Sequence, residues 1–120
     1  MLKAEHDKRH YETIIQGMRE AVLNGTCAAA DLPDFEVCGK TGTAQNRGKD
    51  HSAFMGFAPM HDPKIAVAVY VENGGFGAVY GVPIGALIME QFLTGTLSEE
   101  SAKKAKDIQR RTIYYGDQER

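Results

Sequence analysis

No apolar run in this sequence approaches the roughly 18 residues that a helix needs to cross a bilayer. The first ten residues, MLKAEHDKRH, carry charge where a signal peptide carries an apolar stretch. An excess of one charge is also missing. The formal net charge is -2, which excludes a general nucleic-acid or membrane-surface binder. Cysteine is sparse: Cys27 and Cys38 alone cannot complete the usual four-ligand zinc site. Of the histidines His6, His10, His51 and His61, only His6 and His10 are four apart, and they read as neighbours on the surface of one helix. No metal and no cofactor is therefore expected. A Cys27–Cys38 disulfide stays open at this level. Serine occurs only at Ser52, Ser98 and Ser101, and no internal repeat is visible. What remains is an ordinary globular composition, 42% hydrophobic and 25% charged over 120 residues. It fits one domain or part of one, with enough chain to bury a core.

The hydrophobic pattern predicts a helix over residues 7–23, with Tyr11, Ile14, Ile15, Met18 and Val22 on one stripe. Asn24-Gly25 reads as its cap, with Gly25 in the left-handed conformation. A small-residue loop runs to Asp34. Residues 35–40 read as a strand, 46–50 as a turn, and 51–59 as a second strand in which Gly56 marks a bulge or close packing. Lys64 to Glu72, KIAVAVYVE, is the strongest strand signal in the chain. Both of its faces are apolar, so it is expected to be central and covered on both sides. Short turns make the three strands an antiparallel meander. Asn73-Gly74-Gly75 reads as turn chemistry. A second helix is predicted over 80–93, with Ile84, Leu87, Ile88 and Phe92 on its stripe, Pro83 in its first turn and Gly95 ending it. Beyond Leu97 the chain becomes strongly charged. Ser98 is placed to cap a short helix that begins with Glu99 and Glu100, within an exposed tail over residues 98–120. The fold class is α+β, helices flanking a three-strand antiparallel meander.

One segment carries chemistry: Gly39-Lys40-Thr41-Gly42-Thr43-Ala44-Gln45. Its Gly-Lys-Thr invites a nucleotide-binding P-loop. That loop needs a glycine five residues before Gly39, where Asp34 stands, and a helix after the lysine, where Thr41, Gly42 and Thr43 are poor helix formers. The other reading is the Lys-Thr-Gly box of serine acyltransferases and β-lactamases. On an edge strand, Lys40 projects a cation into a cleft, where it holds a substrate carboxylate and helps move a serine proton. Thr41 offers a hydroxyl to the same carboxylate. Gly42 lets a substrate lie against bare backbone. Thr43 presents its backbone N–H to a developing oxyanion, a contact worth about 3–4 kcal/mol in other hydrolases. Lys40 and Thr43 are thus the catalytic candidates; Thr41, Gly42 and Thr43 are the substrate-binding ones. Cys38 shares the Lys40 face by alternation and reads as a small packed residue.

The neighbouring residues strengthen the second reading. From Tyr11 to Gly95 the chain resembles the class B penicillin-binding proteins, and among them the elongation type, penicillin-binding protein 2. The resemblance rests on Gly17-Met18-Arg19, Gly25-Thr26, the Lys40 box, Asp50-His51, Gly56-Phe57-Ala58-Pro59 and Val71-Glu72-Asn73-Gly74-Gly75. It implies the carboxy-terminal half of a transpeptidase domain, over residues 1–97. It also implies a role in D-Ala-D-Ala cross-linking of peptidoglycan through an acyl-serine, with β-lactams as inhibitors. The partners implied are the peptidoglycan stem peptide and the cell-wall elongation machinery, not nucleic acid. The site implied is the outer face of a bacterial inner membrane, with the anchor outside this stretch. In the family a strand from the first half of the domain pairs with the far side of residues 65–71, so a chain without it is expected to dimerise or swap through that edge, or else to be poorly soluble.

The scarcity of serine now matters. Ser101-Ala102-Lys103-Lys104 matches Ser-x-x-Lys in form, but it follows the Lys40 strand and sits in the charged tail, whereas the family's box precedes that strand on a buried helix. No Ser-x-Asn is present. Positioning groups with no attacking hydroxyl have nothing to act on, so this chain alone is expected to be inactive. The rival reading is a non-enzymatic binding or assembly module on the same fold.

Overall fold

The computed structural model describes residues 7–45 and 47–113. Helix α1 spans Lys8–Asn24 and is followed by a short 3-10 turn, Ala28–Ala30. Strands β1 (Cys38–Ala44), β2 (His51–Ala58) and β3 (Ile65–Val71) lead into helices α2 (Gly81–Thr94) and α3 (Glu99–Arg110). The sheet is the expected meander, antiparallel in the order β1-β2-β3. Its register places Lys40 beside Met55 and Ala68, Thr41 beside Phe54 and Val69, and Thr43 beside Ser52 and Val71. Alternation then sends Thr41, Ser52, Phe54, Gly56, Val67 and Val69 to one face and Lys40, Met55, Ala66, Ala68 and Tyr70 to the other. Helix α2 packs on β2 and β3, while α1 packs beside β1.

The core gathers around Phe54, which is 1% exposed. Its ring occupies a socket made by the absence of side chains. A methyl group added at Gly85 would lie 2.4 Å from two ring carbons, one at Gly39 2.6 Å from Cε1, and one at Gly56 2.6 Å from Cζ. Val22, Val37, Val82, Ala86 and Met89 close the cluster around it. Gly56 is therefore a close-packing glycine, not a bulge.

Several expectations need correction. The first strand is Cys38–Ala44 and not 35–40, because Leu32 and Phe35 bridge each other across Pro33 and delay the sheet. Gly25 is extended at φ -124 and not left-handed. Its N–H and that of Cys27 both reach the Ala21 carbonyl, and a Cβ at Gly25 would sit 3.0 Å from Ala21 Cα. The α2 face toward the sheet is Gly81, Val82, Gly85, Ala86 and Met89. Ile88 and Phe92, read as its apolar stripe, are 46% and 61% exposed. Small residues win because only they let the helix approach the Phe54 ring. β3 is an edge strand, covered on one face alone: Ala66, Ala68 and Tyr70 are exposed. Likewise Tyr11 and Ile14 of the α1 stripe are exposed, and only Val22 is buried. Gly95 does end α2 in the left-handed conformation, at φ 84.

The charged segment after Leu97 is pinned to the rest. The Ser98 hydroxyl accepts the Ser101 N–H at 3.1 Å and caps α3. Glu90 of α2 accepts the Ser98 N–H at 2.7 Å and the Ser101 hydroxyl. Arg111 donates to the Val79 carbonyl at 3.0 Å and lies 5.2 Å from the centroid of the Tyr80 ring. The corresponding sequence region beyond Ile113, with residues 1–6 and Asn46, lies outside the described residues.

Two predictions follow from this packing. Gly85→Ala raises helix propensity by about 1 kcal/mol, but its methyl group meets the rigid Phe54 ring, and overpacking costs about 1–3 kcal/mol or more. The expected result is net destabilisation by urea unfolding; an unchanged or higher midpoint contradicts the socket. Burial raises the Glu90 pKa, but the hydrogen bonds from Ser101 and Ser98 and the charge of Lys104 outweigh it, leaving the carboxyl below its ordinary 4.5. The folded value is depressed, so the contribution to stability is present above pH 4.5 and disappears as pH falls through the lowered value. Glu90→Gln is expected to flatten the stability profile in that acid range, read by denaturant midpoints against pH.

Candidate functional site

Lys40 through Thr43 run extended along β1, whose outer side pairs with no strand among the described residues. An edge strand leaves alternate N–H and C=O groups unpaired, which is what a bound extended ligand requires. Lys40 is exposed, and its ammonium donates to the Thr41 carbonyl at 2.6 Å. Among the described residues no carboxylate lies within ion-pair distance of it. Thr41 is half-buried on the opposite face, its hydroxyl 2.9 Å from that of Thr26. Gly42 and Thr43 are exposed. A methyl at Gly42 would meet only Ala53 Cβ, at an ordinary 3.6 Å. Internal packing therefore does not require a glycine there, in contrast to Gly39, which makes room for Phe54.

The turn after β3 passes over this strand. Asn73 and Gly75 take positive φ values of 57 and 81, and the Gly75 N–H reaches the Asp50 carbonyl at 2.8 Å. A Cβ at Gly77 would lie 2.6 Å from the Ala53 carbonyl oxygen, 2.9 Å from Thr41 Cβ and 3.1 Å from the Gly42 carbonyl oxygen. Only glycine fits so close an approach. Ser52 fastens the turn from below. It is fully buried, donates to the Phe76 carbonyl at 2.9 Å and accepts the Gly81 N–H at 3.0 Å, satisfying the first turn of α2. His51, half-buried, accepts the Asn73 N–H on Nδ1 at 2.9 Å and packs its ring 5.2 Å from that of Tyr70. It therefore serves the turn.

The two cysteines are free and buried. Burial pushes the Cys27 thiol up, against Thr26, Lys40 and the Thr41 backbone, which pull it down. Burial also raises the Cys38 thiol; Arg19 opposes this and Glu36 adds to it. Raised thiols are poor nucleophiles at neutral pH. None of the three serines is an available one: Ser52 is enclosed, and Ser98 and Ser101 are engaged in capping α3 and bonding Glu90. Among the described residues no group of three or more metal-ligating side chains occurs; His6 lies outside them. A concavity of about 740 Å³ lies away from Lys40, between the 31–35 segment, α2 and α3. Sequence reasoning missed Ser52, Gly77 and the Thr26 hydroxyl as parts of this site. Their partners lie 15 to 29 residues away along the chain for the two hydroxyls, and no local pattern announces such contacts.

The geometry is thus an extended edge strand bearing Lys40, Thr41, Gly42 and Thr43, backed by the meander and by α2. The sequence model of the penicillin binding protein transpeptidase domain matches residues 3–93. The chain belongs to that family. It is 39% identical over 80 residues to the peptidoglycan D,D-transpeptidase MrdA of Acinetobacter baumannii, covering 50% of this chain and 12% of the relative. It is 31% identical over 109 residues to the protein of the same name in Haemophilus influenzae, covering 74% and 17%. Among solved structures, Pseudomonas aeruginosa PBP2 in complex with WCK 5153 superposes with a TM-score of 0.63 at 36% identity, over 83% of this chain and 23% of that one. An imipenem acyl-enzyme complex of penicillin-binding protein A from Mycobacterium tuberculosis gives 0.63 at 33% identity, over 72% and 20%. The chain thus spans less than a quarter of these relatives.

Proposed function

We propose that this chain is the carboxy-terminal part, residues 1–97, of the transpeptidase domain of an elongation-type peptidoglycan D,D-transpeptidase, with residues 98–120 as its tail. The observation that carries this is the extended Lys40–Thr43 run on an open sheet edge, in a chain whose relatives are named peptidoglycan D,D-transpeptidases. In the complete reaction a serine oxygen from outside this chain attacks the penultimate D-Ala carbonyl. The peptide bond breaks, the serine proton leaves with the terminal D-Ala amine, and an acyl-serine remains. An acceptor amine then attacks that ester and returns a proton to the serine.

Within this scheme Lys40 supplies the cation that binds the substrate carboxylate and lowers the cost of moving the serine proton. Thr41 donates its hydroxyl to the same carboxylate. Gly42 leaves the backbone bare, and Thr43 offers its N–H to the oxyanion. β-Lactams acylate the same serine, a reading supported by the acyl-enzyme complexes among the similar solved structures. The working location is the outer face of the bacterial inner membrane, alongside the elongation machinery. Among the described residues no helix is long and apolar enough to cross a membrane.

Two outcomes test this reading. A fluorescent penicillin is expected to leave the 120-residue chain unlabelled and to label the full-length gene product covalently, with Lys40→Ala slowing labelling at least about a hundred-fold. Stoichiometric labelling of the 120-residue chain, or none of the full-length product, contradicts it. Self-association is the second outcome: β3 presents an unpaired apolar edge, Ile65–Val71, that a second copy can cover. Light scattering is expected to show a mass above the monomer that rises with concentration; a clean monomer at high concentration rules this out.

A further inference from the structure

We propose that Thr26 is a positioning residue for the Lys40 strand, holding the Thr41 hydroxyl so that its proton points toward a ligand carboxylate. The inference rests on the transpeptidase reading above and adds to it a residue outside the Lys-Thr-Gly-Thr run. The two hydroxyl oxygens are 2.9 Å apart, and either can be the donor. A hydroxyl has one proton to give and two lone pairs to accept with. If Thr41 gave its proton to Thr26, it would face a carboxylate with lone pairs only, and two acceptors repel. With that contact kept, Thr41 donates outward only when Thr26 gives its one proton to Thr41 and not to the neighbouring Cys27 sulfur. The chain is then Thr26 O–H to Thr41 Oγ1, and Thr41 O–H to the carboxylate, each bond polarising the next.

The surroundings hold this geometry from both sides. The Ala21 carbonyl at the end of α1 accepts the N–H of Gly25 at 3.1 Å and of Cys27 at 3.0 Å, so Thr26 is bracketed by two backbone bonds. Arg19 of the same helix donates to the Val37 carbonyl at 2.8 Å, fastening α1 to the residue that precedes β1. Beneath the strand, Cys27 Sγ lies 3.4 Å from where a Gly39 Cβ would stand. The Gly77 turn packs close to Thr41, where an added Cβ would stand 2.9 Å from Thr41 Cβ. Thr41 is thus half-buried with the Thr26 hydroxyl in reach.

The test is the second-order rate of acylation by fluorescent penicillin in the full-length gene product. Thr26→Val keeps the shape and removes the donor. It is expected to slow acylation about five- to ten-fold, as loss of one hydrogen bond between neutral groups does. Thr26→Ser is expected to restore the rate, and Thr26→Val is expected to add no further loss in a Thr41→Val background. A purely structural role would instead slow both backgrounds equally, and that result overturns the proposal. So does a wild-type rate for Thr26→Val when Thr41→Val alone is slowed, an outcome that leaves the transpeptidase reading standing. A wild-type rate for Thr41→Val, or no acylation of the unmodified product, removes the site reading and this inference with it.

Discussion

The Phe54 ring is the constraint on which the rest depends. An aromatic side chain buries more apolar area than any other kind, but a three-strand sheet with a helix on one face is thin. The ring fits only because Gly39, Gly56 and Gly85 withhold their side chains on three sides of it. Each glycine weakens its own strand or helix by up to about 1 kcal/mol, and burial of the ring offsets this. The same arrangement fixes the functional strand. Gly39 immediately precedes Lys40, so the backbone that carries the cation is seated directly on the core.

Much of this was legible in sequence, and the failures have a common physical cause. The meander, the positions of α1 and α3, the glycine stop of α2 and the extended Lys40 run are local matters of periodicity, capping and turn chemistry, and the structure agrees on each. The α2 face was misread because hydrophobicity was taken as the guide to burial. Where α2 meets the ring the residues are small, Gly81 and Gly85 with Ala86 beside them, while Val82 and Met89 fill the rest of the buried face and Ile88 and Phe92 lie outside. The Ser52 and Thr26 contacts were invisible because they join residues far apart in the chain through single hydroxyls. The strand that opens at Cys38 was placed early because Phe35 looks like a strand residue, whereas it folds inward as a core residue beside Leu32.

The apolar pattern and the observed exposure disagree in an orderly way. Tyr11, Ile14, Met55, Tyr70, Ile88 and Phe92 are all exposed large side chains, and they occur on α1, on the uncovered sheet face and on the outer side of α2. Scattered surface apolar residues are normal, but here they form faces. The cover on both sides of β3 that the pattern calls for is not met among the described residues, and the relatives are more than four times as long as the matched region. The inner face alone, with the Phe54 socket, is what this stretch completes by itself.

The clasp made by Arg111 ties the end of α3 to the segment between β3 and α2. Its guanidinium grips the Val79 carbonyl and the Tyr80 ring, at the root of the loop whose Gly77 presses on Thr41 and Gly42. The last turn of α3 and the loop that closes over β1, far apart in sequence, thus share one fastening.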